Sequence, residues 1–181
     1  MVQESLQIRR ATKEDSASIE RLYELAFPAE ESGLVSALAC ELLRLPSETS
    51  AFSMVAELGG ALVGHVAFSP VCLKGEREPS AAILAPLAVQ PAHQKKGVGT
   101  SSVEKGIQEL VTSGVRLLFV YGDPEYYGRF GFRREKAEGF VAPYELKYEF
   151  GWQALILQEG EETGPSGRIT CVDALSRPEL W

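Results

Sequence analysis

The chain contains no apolar run near the about 18 consecutive residues that a membrane-crossing helix needs, so it is not read as a helical membrane protein. Its first ten residues mix Glu4, Arg9 and Arg10 with isolated apolar residues. They offer neither the apolar stretch nor the small-residue cleavage pattern of an export signal, and the expected location is cytoplasmic. Cysteine is scarce: Cys40, Cys72 and Cys171 are odd in number and far apart, which fits neither a disulfide framework nor a zinc-ligand cluster. A reducing compartment and no metal are expected. There is no surplus of positive charge either, since 25 acidic residues against 18 basic ones leave a net charge of −7. With no basic stripe, nucleic acid is not an expected partner. An acidic surface suits an amine ligand, although solubility alone accounts for the same balance. Repeats and low-complexity tracts are also missing. What is there, 181 residues with 45% hydrophobic content, suffices for one buried core, so residues 1–181 are expected to form one domain.

Residues 6–10 alternate apolar and polar and predict a short strand. Thr12-Lys13-Glu14-Asp15 has the spacing of a capping box, and Ile19, Leu22, Tyr23, Ala26 and Phe27 then recur at helical intervals up to Pro28. A second helix is predicted over 32–45 from the stripe of Leu34, Leu38, Leu42 and Leu45. Two strands over 52–58 and 61–73 flank Gly59-Gly60, a hairpin signal because both positions tolerate positive φ. A strand over 83–89, a helix from Gly97 to Ser113 and a continuous apolar strand over 117–121 form a strand, crossover helix, strand unit. Asp123 and Pro124 then open a short helix that Gly131 stops, and Phe132 begins another extended segment. Residues 154–157 and 169–172 are either closing strands or surface pieces, and 160–167 is a polar turn.

The most informative segment is Gln94-Lys95-Lys96-Gly97-Val98-Gly99, between the end of one strand and the start of a helix. Unpaired backbone N–H groups and the positive end of the helix dipole meet there, the makings of an anion cradle. Gly97 and Gly99 keep side chains out of the way, and Lys95 and Lys96 place mobile positive charge at its rim. A dinucleotide fingerprint is a poor match, because Pro91, Ala92 and His93 separate strand from motif and Ser102 takes the third position. A P-loop fails because Thr100, not lysine, follows Gly99.

The pattern Q-x-x-G-x-G after a strand ending Leu87-Ala88-Val89 resembles the pyrophosphate-binding motif of GCN5-related N-acetyltransferases. Tyr127-Gly128-Arg129-Phe130-Gly131-Phe132 matches the Y-x-x-x-G-F element of the same family, and the order of elements agrees over about residues 6–140. Beyond residue 144 the sequence is not informative. The resemblance implies a mixed, mostly antiparallel α/β (α+β) sheet of six or seven strands with about four helices. It implies acetyl-CoA as cosubstrate: its diphosphate on Gln94, Lys95, Lys96, Gly97, Val98, Gly99 and Thr100, its pantetheine arm along Leu87, Ala88 and Val89. The details around Tyr126 and Tyr127 are similar to a bacterial and archaeal subgroup of N-acetyltransferases.

Acyl transfer to an amine needs a neutral nucleophile, a polarised thioester carbonyl and a proton for the departing thiolate. By the resemblance, the Val89 N–H serves the carbonyl and Tyr127 is the general acid, with Tyr126 the neighbouring alternative. A phenol with an ordinary pKa near 10 is protonated at neutral pH, as that role requires. The glutamate that many members carry on the motif strand is missing, since Ile83, Leu84, Ala85, Pro86 and Leu87 stand there. His65, Glu31 or an ordered water are the alternatives for the base. His65 shares a strand face with Ala67 and Ser69, a small and polar surface suited to lining a cleft. Pro86 cannot donate a ladder hydrogen bond and is expected to mark a bulge, where the family parts two strands for the coenzyme. Arg129 and Arg133 either contact the adenosine phosphates or are solvated, and Cys72 reads as an apolar strand residue. The expected reaction is direct attack by a small-molecule or peptide amine in a ternary complex. A noncatalytic acyl-CoA-binding sensor is the alternative, and a homodimer is the assembly to test for.

Overall fold

A computed structural model describes residues 5–158 and 166–181. The elements run β1 (Gln7–Arg10), α1 (Ser16–Ala26), α2 (Ala29–Arg44), β2 (Phe52–Leu58), β3 (Ala61–Cys72), β4 (Ala81–Val89), α3 (Val98–Thr112), β5 (Leu117–Tyr121), α4 (Pro124–Tyr127), β6 (Phe140–Val141), β7 (Trp152–Ile156), β8 (Gly167–Arg168) and β9 (Thr170–Cys171). Seven strands form one sheet in the order β1-β2-β3-β4-β5-β7, with β9 added to the end of β3. β4 and β5 pair in parallel, as the strand, crossover helix, strand reading requires, whereas β1–β2, β2–β3, β3–β9 and β5–β7 are antiparallel. The expected mixed, mostly antiparallel sheet is therefore the one observed. Most of the expected polar turn over 160–167 lies outside the described residues.

The chain divides into two compact units, residues 1–68 with 85–106 and residues 69–84 with 107–181. In the first, the capping pattern at Thr12 is realised, its N–H donating to Asp15 Oδ2 at 2.7 Å. Arg9 bridges this turn to the sheet through Asp15 at 2.8 Å and Glu57 at 2.6 Å. Gly59 and Gly60 turn the β2–β3 hairpin at φ of 58° and 79°. Strand alternation sends Val55 and Ala56 to opposite faces. Val55 packs with Ile19, Leu22, Tyr23 and Ala39 of the first two helices, and Ala56 packs with Val63 and Val98. Glycines set how closely α3 lies on the sheet. A Cβ on Gly64 would stand 2.8 Å from Val98 Cγ1, and one on Gly106 would stand 2.1 Å from the Phe68 ring.

In the second unit β4 pairs with β5 only from Ala81↔Leu117 to Leu84↔Val120. The ladder stops two residues short of Pro86, which has no N–H to offer it. β7 runs against the other edge of β5, with Tyr121 opposite Trp152. Phe119 stacks on Trp152 at 5.2 Å and meets Phe140 edge-on at 5.3 Å. The extended segment at Phe132 contributes a single bridge, Arg133 to Ala154.

Candidate active site

Two sets of residues carry the chemistry read from the sequence, one in each unit. In the first unit β4 ends at Val89, and a one-turn helix, Pro91–His93, leads into the glycine motif. Gln94 is exposed but not loose, since its Nε2 donates to the Val89 carbonyl at 3.1 Å and ties the motif to the strand end. Gln90 N donates to the Val63 carbonyl at 2.9 Å, which anchors the same strand end on β3. Lys95 and Gly97 both adopt left-handed backbone, φ 59° and 85°, so the chain coils tightly before α3 begins. The space where a Gly97 side chain would stand holds no atom of the described residues within 4 Å.

Ser101 N to the Gly97 carbonyl, 2.9 Å, is the first helical bond of α3. The amides of Val98, Gly99 and Thr100 thus precede any intrahelical acceptor and form the positive end of a 15-residue helix. Lys95 and Lys96 are exposed beside them, while Val98 and Gly99 are buried against the sheet. This arrangement can hold a polyanion by backbone amides, with the lysines adding charge from outside. Leu87 and Val89 are half-buried and Ala88 is buried among Tyr23, Val55 and Ile19.

The second set is the aromatic turn after β5. Asp123 Oδ1 accepts from Glu125 N at 2.9 Å, and Pro124 occupies the first helical position, as the sequence signals. Gly131, at φ 93°, ends the turn. The Tyr127 ring lies against Gly122, where any Cβ would come within 2.5 Å of Tyr127 Cε2, and meets Phe132 edge-on at 5.8 Å. Its hydroxyl has no hydrogen-bond partner among the described residues. Burial pushes the Tyr127 phenol above its ordinary value, and the nearby Tyr126 and Asp123 push it the same way. A phenol so placed holds its proton throughout the neutral range. Arg129 is exposed, with its guanidinium 4.5 Å over the Tyr126 ring and its Nε donating to the Tyr126 carbonyl.

His65 is where the structure corrects the sequence reading. The expected cleft-lining face is closed: His65, Ala67 and Ser69 are 0%, 1% and 1% exposed. Nδ1 of His65 shares a hydrogen bond with the Tyr23 hydroxyl at 2.9 Å, and Nε2 is buried with no partner among the described residues. Desolvation pulls this imidazole down to about 3, so it is neutral at physiological pH and a weak acceptor of protons. No sequence signal shows this, because the burial depends on Tyr23, which helix α1 brings from 42 residues away.

The family model described as an acetyltransferase (GNAT) domain matches residues 7–134, which span both sets of residues. The chain belongs to this acetyltransferase family. It is 35% identical over 167 residues to the uncharacterized N-acetyltransferase YjhQ of Escherichia coli K12, covering 89% of each chain. Among solved structures it is similar to the E. coli GNAT family N-acetyltransferase YhbS in complex with CoA, with TM-score 0.82, 26% identity and 96% and 93% of the two chains covered. It is also similar to a GNAT family acetyltransferase from Brucella melitensis in complex with acetyl-CoA, with TM-score 0.69, 27% identity and 94% and 98% covered.

Proposed function

We propose that the chain acts as a single N-acetyltransferase domain that takes acetyl-CoA as its cosubstrate and a primary amine as acceptor, within a ternary complex. The observation that carries this reading is the motif turn. Gln94 is tied to the strand end, Lys95 and Gly97 are in left-handed backbone, and three helix-start amides, with no partner among the described residues, can grip a diphosphate. The coenzyme-bound structures of YhbS and the Brucella protein support the same ligand. Acetyl-CoA supplies the activated acyl group and a leaving thiolate. In this reading residues Gln94 to Thr100, with Lys95 and Lys96, hold the diphosphate, and Leu87, Ala88 and Val89 line the arm. The Val89 amide serves the thioester carbonyl.

Tyr127 is the general acid: its hydroxyl has no partner among the described residues, and burial keeps it protonated at neutral pH until the departing thiolate takes the proton. The proposal leaves His65 out of proton transfer and gives the amine's proton to water. The test is coenzyme A release from acetyl-CoA over a panel of small-molecule and peptide amines. Turnover with any of them, lowered by about 100-fold or more in Tyr127→Phe with little change in KM for acetyl-CoA, supports the assignment. Tight acetyl-CoA binding with no turnover for any amine would make the chain a sensor instead. Unchanged kcat in the Phe variant would move the acid role to Tyr126 or elsewhere.

A further inference from the structure

The second unit contains an open cleft of about 470 Å³ that neither the glycine motif nor Tyr127 lines. All but one of its lining residues lie beyond residue 134, where the family match ends. Its floor is apolar and firmly held: Ala137, Phe140, Ala142 and Trp152 are 3%, 7%, 3% and 7% exposed. The Trp152 indole N–H donates to the Phe140 carbonyl at 2.9 Å, and both rings pack on Phe119. One wall is the two-stranded pair β6–β8, joined also by Gly167 N to the Gly139 carbonyl at 2.7 Å and Ile169 N to the Val141 carbonyl at 2.9 Å. A preformed apolar cavity of this size is what a small organic molecule requires.

The rim decides the charge of that molecule. Glu138, Glu145 and Glu149 line the cleft, are exposed, and form no ion pair among the described residues. Arg134 and Arg168 stand against them. Arg168 is already engaged, because its Nη1 donates to the carbonyls of Ala142 at 2.8 Å and Pro143 at 2.7 Å and so straps the loop that forms the rim. Arg168 keeps its charge on those neutral carbonyls, so three carboxylates against two guanidiniums leave the mouth at a net −1 over a floor of aromatic and aliphatic carbon. Tyr144, also lining it, adds an aromatic side chain to the wall. Beside Glu149, Tyr148 and Phe150 are 51% and 55% exposed, which extends the apolar surface outward.

From this charge complementarity we infer that the cleft binds an organic ammonium ion with an apolar body, an arylalkylamine in chemical class. The cleft is built within one unit, so this binding needs neither acetyl-CoA nor acyl transfer.

The experiment titrates the full chain, without acetyl-CoA, with 2-phenylethylamine, with the neutral 2-phenylethanol and with the anion 3-phenylpropionate. The indole N–H resonances of Trp152 and Trp181 are followed by NMR. The inference expects the ammonium to shift the Trp152 signal and to bind at least about tenfold more tightly than the alcohol, with the anion weakest. Replacing the exposed carboxylates together, Glu138→Gln, Glu145→Gln and Glu149→Gln, is expected to remove the advantage of the ammonium over the alcohol and leave alcohol binding in place. Equal affinity for ammonium and alcohol, preference for the anion, or a Trp152 signal unmoved at millimolar probe overturns the inference. Coenzyme A release with the same amine then separates an acetylated acceptor from a ligand that is only held, and either result keeps the cleft as its seat. Acetyl-CoA binding measured alone reports on the proposed transferase activity, so failure of one reading is not failure of the other.

Discussion

Residues that look alike in sequence take opposite roles once their surroundings are known. Tyr127 and His65 are both aromatic, titratable and near motif positions. Burial raises the first and lowers the second, because the neutral form is the acid of a phenol but the base of an imidazole. For Tyr127 the shift secures the protonated form at neutral pH while making the phenol a weaker acid than an ordinary tyrosine. For His65 it removes the charge and makes the residue a contributor to pH-dependent stability. The folded value is near 3 and the ordinary value is 6.5, so between these the unfolded chain binds the extra proton. Stability from this group is complete above pH 6.5 and falls as pH drops toward 3, by at most about 1.4 kcal/mol per pH unit. Asp15, held below its ordinary 3.8 by Arg9, adds the same sign of effect only at lower pH. Urea unfolding of the wild type and of His65→Gln between pH 6.5 and 4.5 checks this, and the variant should show a distinctly shallower loss. Parallel slopes would mean that His65 is not the group responsible.

At the scale of elements, punctuation and period were readable, and contacts between distant segments were not. Gly59-Gly60, Gly114 and Gly131 mark turns in sequence and take positive φ in the structure, as their freedom from a Cβ allows. Helix α2 begins at Ala29, three residues before the predicted start, because Pro28 caps it as well as closing the segment before. A stripe of leucines reports the middle of a helix better than its ends. Strands β6, β8 and β9 have two residues each, too few to show any alternation, so the tail was opaque. The cradle from Gln94 to Gly99 was legible because its residues are contiguous and their backbone needs are local. The Glu138–Trp152 cleft was not, since its lining stretch has no strand or helix period to read, and the Phe119 ring and Arg168 that complete it come from elsewhere in the chain.

Gly106 lies within α3 against the Phe68 ring of β3. In an open helix Gly→Ala stabilises by about 1 kcal/mol. Here the added Cβ would fall 2.1 Å from the Phe68 ring, itself 1% exposed, so Gly106→Ala is expected to destabilise by about 1–3 kcal/mol in denaturant unfolding. A stabilised variant would show that α3 does not press on β3 there.

Across the whole molecule, charge and cradle oppose one another, and locality settles which governs binding. A net charge of −7 repels polyanions at long range, yet that repulsion is screened beyond about 10 Å in ordinary buffer. Backbone amides and two lysines act within hydrogen-bond distance, where screening is weak. Acetyl-CoA affinity is accordingly expected to change little with moderate salt, whereas duplex DNA, which must lie across the acidic surface, should show no measurable association at physiological ionic strength. Filter binding with labelled duplex checks the second expectation, and saturable binding there would contradict it.

The central claim is that the Gln94–Thr100 turn grips the diphosphate of acetyl-CoA, and isothermal titration calorimetry of wild type against Gly97→Val tests it most directly. Gly97 sits at φ 85° with no described atom beside it, so valine there strains the backbone of the turn without meeting the core. Thermal unfolding of the same samples confirms that both are folded. Saturable association by the wild type, weakened at least about tenfold in the folded variant, is the predicted result. No association by the wild type, or equal association by both, would contradict it.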